Sequence, residues 1–520
     1  MTPPDVPIQH LLTLPPRMAS EFETLTQRPR PEWFACSDSA GTPLGSGGGT
    51  ANLLVQAWQA TGSKQNFSAW LQASRKLLLH SGGQSRRLPA YAPTGKILLP
   101  VPVFRWSRGQ RLDQTLLDLA LPDYSRVLAH GGPKTVAMLV SGDTLIRVPA
   151  KLPKFPDVDV IGLGMWGTPE KAKDFGCFFT PRSKPNEIVF FLQKPAPART
   201  RELAQQHLFM FDTGMWLLSE RAVNVLLQRC GWDERTGEFS SGRAANYEFY
   251  SRFALALGTH PTEPDPLIAS LSCAVVPLND TEFYHFGTSA QMIESVSALQ
   301  NLVLDETRLG PFAGFRHPDQ YLQNTAFACP PHREENHTLW VENSVIPATW
   351  KLAYEHVLTG VPENNWQLQL EPGVCLDFVP VGEADFAIRA YGFRDSFSGK
   401  LGSTNTCWFG HPARDWYTAR KLNPVDCGVD FETDIQLCPL FPALPVEKIS
   451  GAFLEWLFAR EPVANAEFAT LWQSAKRWSA QQLCESANVN RLYKQRAELG
   501  RSTLLPLMKN FRASIFYRLD

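Results

Sequence analysis

Apolar runs are short throughout this 520-residue chain. None approaches the roughly 18 residues that a membrane-spanning helix requires, so no membrane partner is expected. The amino terminus, MTPPDVPIQHLL, has no basic region followed by an apolar segment, and no secretory signal is expected from it. A basic excess is missing too. The 50 lysines and arginines face 51 aspartates and glutamates, a net charge of -1, which argues against nucleic acid as a partner. The 10 cysteines include no CxxC pair and no framework spacing, so neither a zinc site nor a disulfide scaffold is signalled. They read as free thiols of a reducing compartment, and the chain as cytoplasmic. A Walker A loop fails as well, since Gly95-Lys96 is followed by Ile97 and no glycine stands at position 90. Strict repeats and low-complexity linkers are also lacking.

The residues that are present describe a packed protein. Hydrophobic residues make up 44% of the chain and tryptophans number 15, which excludes a disordered one. The length implies two or three domains. Residues 1–72 read as a leader packed on the next domain. Within it the glycine-rich Gly45–Thr50 precedes a predicted helix from Ala51 to Trp58, either a flexible tether or an anion site. From 73 to 330, apolar strand candidates alternate with helical stretches, the layout of an α/β domain. Val136–Val140 ends at Ser141-Gly142-Asp143, Ile188–Leu192 at Gln193-Lys194-Pro195, and Leu208–Phe211 at Asp212-Thr213-Gly214. Open α/β sheets place ligands at the carboxyl ends of their strands. Residues 331–448 show short alternating segments punctuated by glycine and proline, a β-rich domain that is either a sandwich or a solenoid. From 449 the pattern is helical.

The richest stretch is Leu77–Pro100, LLLHSGGQSRRLPAYAPTGKILLP. Leu77, Leu78 and Leu79 form a strand candidate that breaks into Ser81-Gly82-Gly83-Gln84-Ser85. Small residues there let backbone amides approach a polyphosphate. Arg86, Arg87 and Lys96 come next. A strand, a glycine turn and separated cations suit phosphoryl transfer, where phosphate charge is the main barrier. Gly162–Gly167 satisfies GxGxxG, but Met165 and Trp166 stand where a pyrophosphate must approach. It reads as a turn before a helix opened by Thr168-Pro169.

This segment resembles the signature of the sugar-1-phosphate nucleotidyltransferases: a glycine-rich turn, an arginine, and a lysine about nine residues on. Together with Gly45–Thr50, Pro102–Trp106, Leu139–Leu145, Phe283–Ser289 and the run from Thr359 to Phe397, it is similar to the GDP-L-fucose pyrophosphorylase half of bifunctional L-fucokinase/GDP-fucose pyrophosphorylases. The resemblance runs almost end to end. It implies a Rossmann-like (GT-A-type) nucleotidyltransferase domain, a left-handed parallel β-helix domain, and a helical carboxyl-terminal segment. It implies transfer of GMP from GTP to L-fucose 1-phosphate, giving GDP-L-fucose and pyrophosphate, with Mg²⁺ as cofactor. A relative using another base or sugar, or a non-catalytic sugar-nucleotide-binding scaffold, is the alternative.

By the same resemblance Arg87 and Lys96 take the triphosphate, and Gly47, Gly48, Gly82, Gly83 and Ser85 contact the nucleotide. Asp143, which by residue type alone would be a cap or turn residue, becomes the metal ligand. Lys194 holds the sugar phosphate, with Gln193 in place of a usual glutamate. Thr213 and Gly214 contact the sugar, although Asp212 replaces the usual Asn. His285 stands where many relatives carry a second metal aspartate. Imidazole is a poor ligand for Mg²⁺, so it is either a phosphate or metal-water contact, or structural. No kinase loop of the GHMP type occurs, so kinase activity is not expected of this chain, and a kinase partner domain or an oligomer is left open.

Overall fold

The computed structural model describes residues 6–38, 44–62, 65–81, 85–104, 110–302, 318–329, 331–462 and 465–511. The chain divides into two compact units, one of Met1–Gly83 with Leu116–Tyr284, the other of Gln84–Thr115 with His285–Asp520.

The first unit is built on a nine-stranded sheet. Its strands include β1 (Ile8–Thr13), β2 (Trp33–Cys36), β3 (Arg75–His80), β4 (Thr135–Ser141), β6 (Val160–Met165), β7 (Gly176–Pro181), β8 (Phe190–Gln193), β9 (His207–Ser219) and Cys273–Pro277; a short β5 (Thr144–Arg147) comes after the turn at Gly142-Asp143. The order is Cys273–Pro277, β6, β9, β4, β3, β1, β2, with β7 on β9 and β8 on β7. β2, β1, β3 and β4 are mutually parallel. Leu77, Leu78 and Leu79 of β3 are each fully buried, the continuous apolar run of a central parallel strand. The leader is not a separate piece, because β1 and β2 belong to the sheet.

Lys76 lies fully buried within β3. Its ammonium donates to the carbonyls of Trp70 and Ser74 at 2.8 Å each and sits 4.3 Å from the Trp70 ring. It thereby satisfies carbonyls at the end of the helix Phe67–Ala73, which a helix terminus otherwise leaves without donors. Gly162–Met165 of the GxGxxG segment lie in β6, and only Trp166-Gly167 turn toward the short 3₁₀ helix Pro169–Asp174 that Thr168 opens. The segment's glycines are there for side chains of adjoining strands: a Cβ on Gly162 would meet Phe178 at 2.3 Å, and one on Gly167 the Phe211 ring at 1.9 Å.

The second unit carries a seven-stranded sheet. Gln320–Phe327, Leu339–Ile346, His356–Thr359 and Val374–Val381 run parallel. Leu339 pairs with His356, 17 positions on, and Leu358 with Leu376, 18 positions on. From Val374–Val381 onward the pairing is antiparallel, through Asp385–Gly392, Phe441–Leu444 and Lys476–Trp478. The parallel pattern therefore occupies only the front of the expected β-helix region. Helices Gly451–Phe458, Ala466–Ser474, Ala480–Ser486 and Val489–Phe511 form the expected helical segment. A buried pair, Arg389 with Asp377, crosses this unit's sheet, and Thr359 donates to the same carboxylate at 2.8 Å.

Candidate active site

The geometry of the first unit comes from the two edges of β9. On one edge β6 pairs from Val160↔Leu218 to Met165↔Phe211. The opposite edge is shared. β4 takes residues 216–219, ending at Leu139↔Trp216, and β7 takes 207–211, beginning at Cys177↔Phe211. Asp212-Thr213-Gly214-Met215 lies between them, paired on that edge with neither strand. Within the gap the Gly214 N–H is taken by the Asp212 carboxylate at 2.7 Å and the Met215 N–H by the Thr213 hydroxyl at 3.4 Å.

The flanks of this gap are the residues the sequence singles out. From the β4 side come Ser141 and Asp143, and Ser141 donates to the Asp143 carboxylate at 2.6 Å. Gly214 adopts φ +80°, and a Cβ there would lie 3.8 Å from that of Ser141. From the β7 side come Gln193, paired with Gly176, and Lys194, whose N–H donates to Phe175 O at 2.9 Å. Lys194 adopts φ +52°, which turns the chain out of β8, and both Gln193 and Lys194 are exposed. Thr213 faces inward, with its hydroxyl donating to Leu163 O at 2.8 Å.

Asp212 holds the turn together. Its carboxylate accepts from Gly214 N–H at 2.7 Å and from the Trp216 indole N–H at 3.0 Å. Burial raises its pKa to about 7 against the pull of those two donors. The neutral acid that burial favours is close in shape to an amide.

The carboxyl end of β3 is locked from two neighbouring elements. His80 lies 2.9 Å (Nε2) from the Thr50 hydroxyl and 3.4 Å (Nδ1) from that of Thr13. Thr50 already donates its one proton to Ser46 O at 2.7 Å, so it accepts from His80 Nε2–H, leaving Nδ1 to accept from Thr13. Burial lowers the His80 pKa to about 4, which keeps the ring neutral.

Gly47 and Gly48 serve a different purpose from the one expected. The helix begins at Gly45, so they lie inside its first turn. Their amides donate to Tyr247 O at 2.8 and 2.9 Å. A Cβ on Gly48 would stand 2.4 Å from Ala245 O. The glycines allow the irregular segment 245–248 to lie directly on the helix, and the Tyr247 carbonyl takes the place an anion would fill. Gly82 and Gly83 lie outside the described residues.

In the second unit, Ser85 adopts φ +44° and its carbonyl accepts from Leu88 N–H at 3.0 Å. The Arg87 carbonyl accepts from Ser289 N–H at 3.0 Å, and Lys96 Nζ donates to Gly287 O at 3.1 Å. A Cβ on Gly287 would stand 2.7 Å from His285 Nε2, so the imidazole is packed against that peptide. Arg87, Lys96 and His285 thus meet at one place, the entry to the helix Ser289–Gln300. Arg86 pairs with Asp434 at 3.0 Å, the role of a structural cation.

Two residues escaped the sequence reading. Tyr250 lies on a single π-turn, Phe249–Phe253, and its ionisation is opposed by burial and by the carboxylates of Asp212, Asp143 and Glu248. Glu248 accepts from Ser46 N–H at 3.2 Å and from its hydroxyl at 2.9 Å. The only signal in the sequence was the dense NYEFYSRF run, which has no motif spacing.

Residues 68–263 match the model of the family described as fucose pyrophosphorylase domain. A protein of Bacteroides fragilis named L-fucokinase/L-fucose-1-P guanylyltransferase is 40% identical over 513 residues, covering 99% of this chain and 53% of that protein. The chain thus spans about half the length of the curated relative it matches. Among solved structures, a mannose-1-phosphate geranyltransferase from Thermus thermophilus is 12% identical, covering 74% of this chain and 95% of that one with a TM-score of 0.27. A mannose-6-phosphate isomerase from Helicobacter pylori is 13% identical, covering 44% and 79%, with a TM-score of 0.19.

Proposed function

From the match of residues 68–263 to the fucose pyrophosphorylase domain model, we propose that the chain transfers GMP from GTP to L-fucose 1-phosphate. A phosphate oxygen of the sugar phosphate attacks the α-phosphorus of GTP, the bond to the bridging oxygen breaks, and pyrophosphate leaves with that electron pair. GDP-L-fucose is the product. No protein nucleophile is required; the work is alignment of two polyanions and neutralisation of their charge. The observation that carries this reading is the gap on β9, floored by Asp212–Gly214 and flanked by Asp143 and Gln193-Lys194.

In this reading Lys194 holds the sugar phosphate, Gln193 and the Asp212–Gly214 turn address the sugar, and Arg87 and Lys96 take the triphosphate. Asp143 is a half-buried carboxylate at a strand end, and among the described residues no cluster of three metal-binding side chains surrounds it. One carboxylate completed by substrate phosphates is how Mg²⁺ is commonly held, so Asp143 fits it. Bound there, Mg²⁺ would supply charge neutralisation on the phosphates. We also read the 17- and 18-residue recurrence as the opening of a parallel β-helix, and the free cysteines as those of a cytoplasmic protein. A kinase of the kind named in the relative would supply the sugar 1-phosphate.

Pyrophosphate release with L-fucose 1-phosphate and each of GTP, ATP, UTP and CTP tests the reading, with Asp143→Ala as control. Release with GTP that vanishes in the control is expected. Release with another nucleotide alone would replace the base; no release with any, from folded protein, would overturn the activity.

A further inference from the structure

Asp38 keeps a carboxylate oxygen buried without a hydrogen-bond partner at the ligand edge of the first unit's sheet. It stands two positions past Cys36, the end of β2. Because β2, β1, β3 and β4 run parallel, their carboxyl ends share one edge. A Cβ on Gly49 would stand 3.3 Å from Asp38 Oδ1 and 3.7 Å from Oδ2, so the helix Gly45–Ala60 lies against both oxygens. The next residue of that helix, Thr50, is 2.9 Å from His80 Nε2, which ties this place to the end of β3. The amides of Gly47 and Gly48 go to Tyr247 and not to Asp38. Burial holds the Asp38 pKa above the usual carboxylate range, a cost that donors from a ligand would relieve.

The order of the strands says what would lie there. From one side the sheet reads β9, β4, β3, β1, β2. In the proposed reaction the sugar lies at the Asp212–Gly214 turn of β9, and the phosphates lie at Asp143 after β4 and at the glycine-rich turn after β3. The nucleoside then extends the other way, over β1 and β2. β2 lies two strand spacings from β3, about 10 Å, a distance on the scale of a nucleoside. β1 ends in Thr13, whose hydroxyl lies 3.4 Å from His80 Nδ1, followed by the buried Leu14. Asp38 is the charged side chain that β2 brings to this end of the row. A carboxylate accepts hydrogen bonds and cannot donate them. Guanine carries N1–H and its 2-amino group side by side, two donors on one edge. Adenine has an acceptor at N1 and no amino group at C2.

We propose that Asp38 selects the base, its carboxylate accepting from N1–H and the 2-amino group of guanine. This inference rests on the proposed guanylyltransferase reading and names its base-reading residue. Asp38→Asn keeps the shape and removes a buried charge, so the urea midpoint should not fall. The new amide sets its own NH₂ against the guanine 2-amino group, but it fits xanthine, which carries an oxygen at that place. For the variant, kcat/KM for GTP should fall about a hundredfold, and that for xanthosine triphosphate (XTP) should rise above it. KM for L-fucose 1-phosphate should stay within about twofold of wild type, since one contact at the base is all that changes. Unchanged use of GTP, equal loss on GTP and XTP (the result of a ribose contact), or a lowered urea midpoint would each overturn it. If wild type turns over no GTP, the guanylyltransferase reading fails on its own. Calorimetric titration of GDP and xanthosine diphosphate then decides for Asp38. A preference for GDP in wild type and for the xanthine nucleotide in the variant supports the role. The same preference in both, or no binding to wild type, overturns it.

Discussion

Lowering the pH from 7 to 5 should destabilise the protein through His356, by an amount the structure sets. The ring is fully buried. Its Nε2 accepts from Ala353 N–H at 3.0 Å and its Nδ1 lies 2.7 Å from Val374 O. A backbone N–H only donates, so Nε2 is bare and Nδ1 carries the proton. A second proton would set two N–H groups against each other, and burial lowers the pKa from 6.5 to about 4. The unfolded chain takes up this proton first as pH falls. The histidine's contribution is thus complete above about pH 6.5 and is lost on descending toward 4. Between pH 7 and 5 the loss is ~2 kcal/mol, and it levels off at ~3 below pH 4. Urea titrations followed by tryptophan fluorescence would compare wild type with His356→Asn at both pH values. The variant starts less stable but should lose ~2 kcal/mol less over the interval. His10 and His80, also held neutral near 4, remain in both proteins and cancel in the difference. Identical pH dependence in the two proteins would refute the reasoning.

Gly48→Ala should cost ~1–3 kcal/mol of stability, because its Cβ meets a backbone carbonyl that cannot yield, while KM for GTP in the folded protein stays unchanged. Loss of GTP affinity at intact stability would restore the phosphate-loop reading. Asp377→Asn should lower the urea midpoint by the equivalent of ~3–5 kcal/mol, since it leaves Arg389 charged and buried without its partner; a shift below ~1 kcal/mol would show that the Pro89 carbonyl, to which the guanidinium also donates, suffices. Lys194→Ala should raise KM for L-fucose 1-phosphate by about ten- to a hundredfold with GTP little affected, as expected for losing one charge-assisted contact. Equal loss on both substrates would remove Lys194 from the sugar-phosphate end.

Much was legible before any tertiary structure. Leu77–Leu79 and Val136–Val140 announce buried strands by their unbroken apolar runs, and polar residues directly after them mark where chemistry can sit. The GxGxxG segment does lead to a short 3₁₀ helix opened by Thr168-Pro169, but its front half is strand, and Gly162 and Gly167 are demanded by Phe178 and Phe211, which no local rule reveals. The same holds for Gly47 and Gly48. A glycine's reason is whatever lies against it, in this case segment 245–248, some 200 positions away.

The sequence by itself determined the alternation of elements, the polar residues Asp143, Gln193 and Lys194 that follow apolar strands, and the likeness of residues 68–263 to the fucose pyrophosphorylase domain model, because each depends on residue type and near-neighbour spacing. The tertiary structure alone decided which edge of β9 is left unpaired at Asp212–Met215, that the Gly47 and Gly48 amides are spent on Tyr247, and that Ser46 joins Glu248 to Phe249. Those depend on strand register and on contacts between residues far apart in the chain, and neither is written in a local pattern.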